Sequence, residues 1–231
     1  MNYWEVRING DESQLRMLAE AFVGREWTVT RRGSEFFLAG VALDGLADAR
    51  AVRAKASARI ASISGASMLY MGSSKRLGLD HVVKLDDGGR RDLTIFPDPV
   101  VAHVSVPPIS LSVTRADGSV EVCPPAGPVF EAALKADRSG AVEEVLRLRS
   151  ALDLVWTDLY RILEVIQADG GPISASKAEV RRFKHTADSK SAAGDLARHG
   201  HERTDPPPDP MKLQEAREFI DRIIRDWLAS K

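Results

Sequence analysis

Residues 142–168 read VEEVLRLRSALDLVWTDLYRILEVIQA, and the fold assignment turns on this stretch. Val145, Leu148, Leu152, Val155, Leu159, Ile162 and Ile166 recur every three or four residues, and Trp156 and Leu163 widen the stripe. That period places apolar side chains on one face of an α-helix. It predicts a single core-facing helix of about 27 residues, roughly 40 Å long. A second stripe of the same kind runs through Leu213, Ala216, Phe219, Ile220, Ile223, Ile224, Trp227 and Leu228. Packing one stripe on the other covers both within the chain. Using either as a seam between copies leaves the helical region short of core, so internal packing is the primary expectation. A homo-oligomer held through these helices is the secondary one.

Working back from this helix, Pro124, Pro125, Gly127 and Pro128 interrupt any regular pattern. They mark a linker over 124–128 between an α+β domain at 1–123 and a helical domain at 129–231. In the first domain Trp4, Val6 and Ile8 alternate with polar residues, the period of a half-buried strand. A short helix is expected over Glu12–Phe22. Strands follow at Trp27–Thr30 and Glu35–Val41, joined by a turn at Arg31-Arg32-Gly33-Ser34. An alanine-rich helix from Asp44 to about Ser64 has side chains small enough to approach a sheet closely. Val82–Leu85, Arg91–Phe96, Val100–Val106, Ile109–Arg115 and Val120–Cys123 complete a strand-rich block, with hairpin turns at Asp86–Gly89 and Ala116–Ser119. The fold class is therefore α+β: a mainly antiparallel sheet with packed helices, followed by an all-α domain.

After the long helix, Gly170-Gly171-Pro172 stops the run. Ser176 with Glu179 forms a capping box for a helix over about Lys177–His185. Asp188 or Ser189 caps another that is expected to reach His199. Pro206–Pro210 is a stiff connector, and Asp209 with Pro210 is placed to open the last helix.

Composition excludes several functions. Of 231 residues, 44% are apolar and 28% charged, with a formal net charge of −1. Neither half of the chain carries the positive field of a general nucleic-acid or acidic-membrane binder. No apolar run is long enough to span a bilayer, and the start MNYWEVRING lacks the pattern of an export signal. Cys123 is the one cysteine, which rules out an internal disulfide, so a cytoplasmic setting is expected. Gly72, Ser73, Ser74 and Lys75 do not match the spacing of a phosphate-binding loop, and Asp86, Asp87 and Asp92 do not match a calcium loop. No cofactor is implied.

The chemistry that remains is concentrated in one segment. From Lys177 to Arg203 there are seven basic and four acidic residues, and three of the five histidines lie there: His185, His199 and His201. Asp195 and His199 stand one helical turn apart, a spacing that lets a carboxylate orient an imidazole for proton transfer. Arg198 or Arg182 would then hold an anionic group. His185, Asp195, Arg198, His199 and His201 are the candidate catalytic set for a hydrolase or phosphodiesterase. Arg181, Arg182, Lys190 and Asp158 are the candidate binding residues. The histidine–carboxylate cluster has neither the H-E-x-x-H pattern nor a cysteine–histidine zinc spacing, and no metal is assigned. The arginine–histidine spacing of the HEPN ribonucleases is also missing from the helical half, where Arg182–His185 and Arg198–His201 stand too close together. Strong packing and capping signals beside weak catalytic ones favour a protein-interaction or regulatory role. The polar segment would then recognise an acidic protein surface or a small anion.

Overall fold

The computed structural model describes residues 3–24, 26–73, 75–85, 91–95, 111–114, 120–123, 126–198 and 205–231. The chain separates into two compact units, Met1–Leu134 and Lys135–Lys231. An N-terminal region of sheet and helix precedes an all-helical region, as the periodicities require.

The first unit runs β1 (Tyr3–Asn9), α1 (Glu12–Ala21), β2 (Trp27–Arg32), β3 (Glu35–Gly40), α2 (Ala49–Tyr70), β4 (Gly78–Leu85) and β5 (Arg91–Ile95). These strands form one antiparallel sheet in the order β2-β3-β1-β4-β5. A separate hairpin pairs β6 (Leu111–Thr114) with β7 (Val120–Cys123). The strands expected at 100–106 and the turns at 86–89 and 116–119 fall outside the described residues. Register follows from the alternation of apolar residues: Val29, Leu38, Val6 and Val82 lie abreast across four strands, and all are buried. Gly33, at φ 63°, permits the tight turn that closes Arg32 against Glu35.

On the other face, Glu5 is only 2% exposed, and its carboxylate accepts from Arg32 at 2.5 Å and Arg91 at 3.1 Å. Both guanidiniums also lie over the Phe37 ring, at 5.0 and 5.8 Å from its centre. A buried carboxylate is tolerated because two cations from the outer strands β2 and β5 neutralise it. The small side chains of α2 do permit close packing: every residue from Ile60 to Leu69 is buried, including Ser62, Ser64 and Ser67. Ser64 Oγ donates to the Ile60 carbonyl and accepts from the Leu77 N–H, so its hydroxyl is satisfied inside the core. Ser73, from the segment weighed as a phosphate loop, directs its hydroxyl at Gln14 and at the Lys75 carbonyl.

Helix α3 (Gly127–Arg138) carries the chain into the second unit, with Pro128 in its first turn, where a missing N–H costs nothing. There follow α4 (Gly140–Arg149), α5 (Trp156–Ala168), α6 (Lys177–Asp188), the single turn α7 (Lys190–Ala193) with a 3-10 turn at Gly194–Leu196, and α8 (Leu213–Ala229). The expected single helix over 142–168 is in fact two. Ser150 closes α4, its N–H on the Leu146 carbonyl and its hydroxyl on that of Arg147. Val155 is extended, and Asp158 accepts its N–H at 3.2 Å to open α5. The Leu154 carbonyl freed by the break takes two bonds from Arg217 of α8, at 2.9 and 2.7 Å. Leu154 is buried in the gap and Leu152 is exposed, the reverse of the helical register.

The apolar face of α8 is buried from Ala216 to Leu228, and the helix packs on α5 as the two stripes require. Arg149 of α4 makes a two-pronged pair with Asp221 of α8 at 2.6 and 3.0 Å. The α8 helix begins at Leu213, not at Pro210. The preceding turn is held extended, with the Met211 N–H on Thr186 Oγ1 and the Asp209 carbonyl on Arg182. The helix expected to reach His199 ends at Ala193. Gly194 turns the chain at φ 67°, and the Arg198 N–H bonds the Ala187 carbonyl, folding the segment back onto α6.

Candidate functional site

The helix α6 carries the polar segment, and its geometry starts from its cap. The Ser176 hydroxyl accepts the Glu179 N–H at 3.1 Å, and the Glu179 carboxylate accepts the Ser176 N–H at 2.9 Å. Arg222 donates to the same carboxylate at 2.9 Å. The Ser176 backbone bond, then Arg222 and the Ser176 hydroxyl, hold this carboxyl well below its ordinary range, at about 2. The inward face of α6 buries Phe183 among Trp156, Tyr160 and Phe219, with ring centres 5.5 to 6.2 Å apart. Burial of this aromatic cluster sets the rotation of the helix and hence which residues face out.

The outward side carries Lys177, Arg181 and His185, one turn apart and therefore in line. Two grooves run along this line, of about 620 and 610 Å³, and all three residues border both. Ile173, Ala175 and Val180 give the first groove an apolar floor, and Lys184 adds a further cation. The second is walled by Pro207, Pro208 and Asp209 of the connector before α8. Among the described residues Lys177 and Arg181 make no ion pair, and both are exposed. The Lys184 ammonium is fixed by Gln167 Oε1 at 3.0 Å and lies over the Tyr160 ring. His185 Nε2 stands 2.7 Å from the Asp205 carbonyl oxygen. A carbonyl only accepts, so Nε2 carries the proton; Nδ1 is an acceptor in the neutral ring and donates to an anion only in the protonated ring.

Arg182, Arg198 and Asp158 are engaged within the helical unit. Arg182 borders the second groove, but it holds Glu215 at 2.5 Å, Asp209 at 3.0 Å and the Asp209 carbonyl. The Glu215 bond raises the arginine's proton affinity, and Arg182 in turn lowers that of Glu215. Arg198 stacks on Tyr160, 3.9 Å from the ring centre, and pairs with Glu164 at 3.2 Å and Asp188 at 3.5 Å. The segment thus returns over α5 at Tyr160 and Glu164. Asp158 lies in the first turn of that helix, where its carboxylate accepts the Val155 N–H. Lys190 opens α7, and Asp195 is exposed in the 3-10 turn; neither borders either of these two grooves. The helical register that would pair Asp195 with His199 stops at Leu196, and His199 and His201 fall outside the described residues. Among the described residues no group of three or more histidine, cysteine, aspartate or glutamate side chains is placed to hold a metal ion. No helix among them is long and apolar enough to cross a membrane.

Lys177, Lys184 and the apolar floor at Ile173 and Val180 were not among the residues singled out from the sequence. The repeat Lys177–Arg181–His185 at one-turn spacing was the signal that could have found the line. Comparison of the chain with protein-family models, with curated proteins and with solved structures finds no match in any of the three.

Proposed function

We propose that the helical unit is a non-enzymatic recognition module whose α6 face binds an anionic ligand or partner. One observation carries this reading: Lys177, Arg181 and His185 form a line between two grooves, with the first two cations unneutralised among the described residues. Arg182 and Arg198, by contrast, are committed to acidic partners of their own unit. The hydrolytic alternative draws on His185, Asp195, Arg198, His199 or His201; neither Asp195 nor Arg198 borders these two grooves beside His185, and His199 and His201 lie outside the described residues. Binding therefore has the better support. A regulatory role in the cytoplasm fits a chain whose lone thiol, Cys123, leaves no internal disulfide.

The test is mapping of amide chemical shifts during titration with inorganic phosphate and with poly-L-glutamate. Changes concentrated between Ile173 and His185 are expected. The double variant K177E/R181E should weaken binding by about tenfold or more, the equivalent of about 1.4 kcal/mol. Binding that is absent, or indifferent to the double substitution, would overturn the proposal.

A further inference from the structure

We infer that the partner of the α6 face is an amphipathic acidic peptide segment, with carboxylates one helical turn apart and apolar residues beside them. The inference rests on the anion-binding reading and narrows it. Lys177 and His185 are separated by eight residues of helix, which at 1.5 Å per residue is about 12 Å. One phosphate cannot bridge that line, whereas successive carboxylates on a peptide can.

The border of the first groove carries Lys177, Arg181, Lys184 and His185 and no carboxylate. An incoming acidic group there meets no resident competitor. In the second groove the one carboxylate, Asp209, is already paired with Arg182. The floor of the first groove is aliphatic, from Ile173, Ala175 and Val180, and these side chains are only partly covered. At about 620 Å³ the groove is far larger than a phosphate and falls in the range that takes several side chains. A small inorganic anion would leave that apolar floor wet. An amphipathic helix covers it while its acidic face lies on the cations, the mode by which grooves read helical anchors. Lys184 is held in place by Gln167 before any partner arrives, so its ordering cost on binding is reduced.

The test uses the full chain and four probes followed by calorimetry and amide shift mapping. The first is a synthetic helical peptide with glutamates at successive turns flanked by leucines. The second replaces its glutamates by glutamine, the third replaces its leucines by serine, and the fourth is inorganic phosphate. The inference expects the first peptide to bind at 173–185, at least about tenfold more tightly than either altered peptide. R181E should cost it about tenfold, and I173E, at the groove floor, should do the same without loss of helical circular dichroism. If phosphate or the serine peptide binds the α6 face as well as the first peptide, the peptide inference fails and the anion-binding reading survives. If no probe perturbs α6, both fail. Binding of the first peptide that is unchanged by R181E also overturns the inference.

Discussion

Glu179 accepts from the Ser176 backbone, the Ser176 hydroxyl and Arg222, and each bond favours the ionised carboxylate. Its carboxyl is easier to ionise in the folded chain than in the unfolded one. The stabilisation it contributes is therefore complete above its ordinary value of 4.5 and is lost as pH falls toward about 2. In urea denaturation, the midpoint of the wild type should fall across that window. Glu179→Gln should start lower at neutral pH and fall less. A residual acid sensitivity will remain in the variant, because the carboxyls of Asp169 and Glu215 are also held low, by Lys231 and Arg182 respectively. An equal acid response in wild type and variant would remove Glu179 from this account. The Ser176–Glu179 box was readable from the sequence because it closes within one turn. The commitments of Arg182 and Arg198 were not, since their carboxylates at Glu215 and Glu164 lie 33 and 34 residues away.

The break between α4 and α5 shows where apolar periodicity stops being informative. In the sequence the apolar spacing from Val145 to Ile166 runs unbroken through the interruption, although in the fold Leu152 is exposed there and Leu154 is buried in its place. What divides the two helices is polar: the Ser150 hydroxyl on Arg147, the Asp158 cap on Val155, and Arg217 reaching the Leu154 carbonyl. Asp158 was a candidate ligand residue and is found accepting the Val155 N–H. Asp158→Ala should cost about 0.5–1.5 kcal/mol in stability, the usual net worth of one such hydrogen bond. It should leave the phosphate and poly-L-glutamate titrations unchanged below the unfolding transition. A loss of binding without a loss of stability would return Asp158 to the site. The same limit applies after α7. Spacing alone extends a helix to His199, but Gly194 and the bond from Arg198 to Ala187 end it at Ala193.

At the scale of the whole chain, the C-terminal stripe meets its partner inside the helical unit. Ile220, Ile223, Ile224 and Trp227 of α8 have no exposed surface. Ile223→Ala should therefore lower stability by about 2–5 kcal/mol, the range for emptying a core site of this size. Denaturation of the variant should not depend on protein concentration. Sedimentation that shifts toward monomer in Ile223→Ala would instead make α8 a seam between copies. The order of sheet and helix, the antiparallel pairing, the helix cap at Ser176 and the apolar faces of α5 and α8 were all legible in the sequence, because short-range spacing and turn chemistry decide them. Tertiary structure decided the burial of Glu5 between Arg32 and Arg91, the division of the long stripe into two helices and the neutralisation of Arg182 and Arg198. It also decided that Lys177 and Arg181 remain open beside an apolar groove. Each of those depends on which distant residue arrives at a given charge or carbonyl, and a pattern of neighbouring residues carries no record of that.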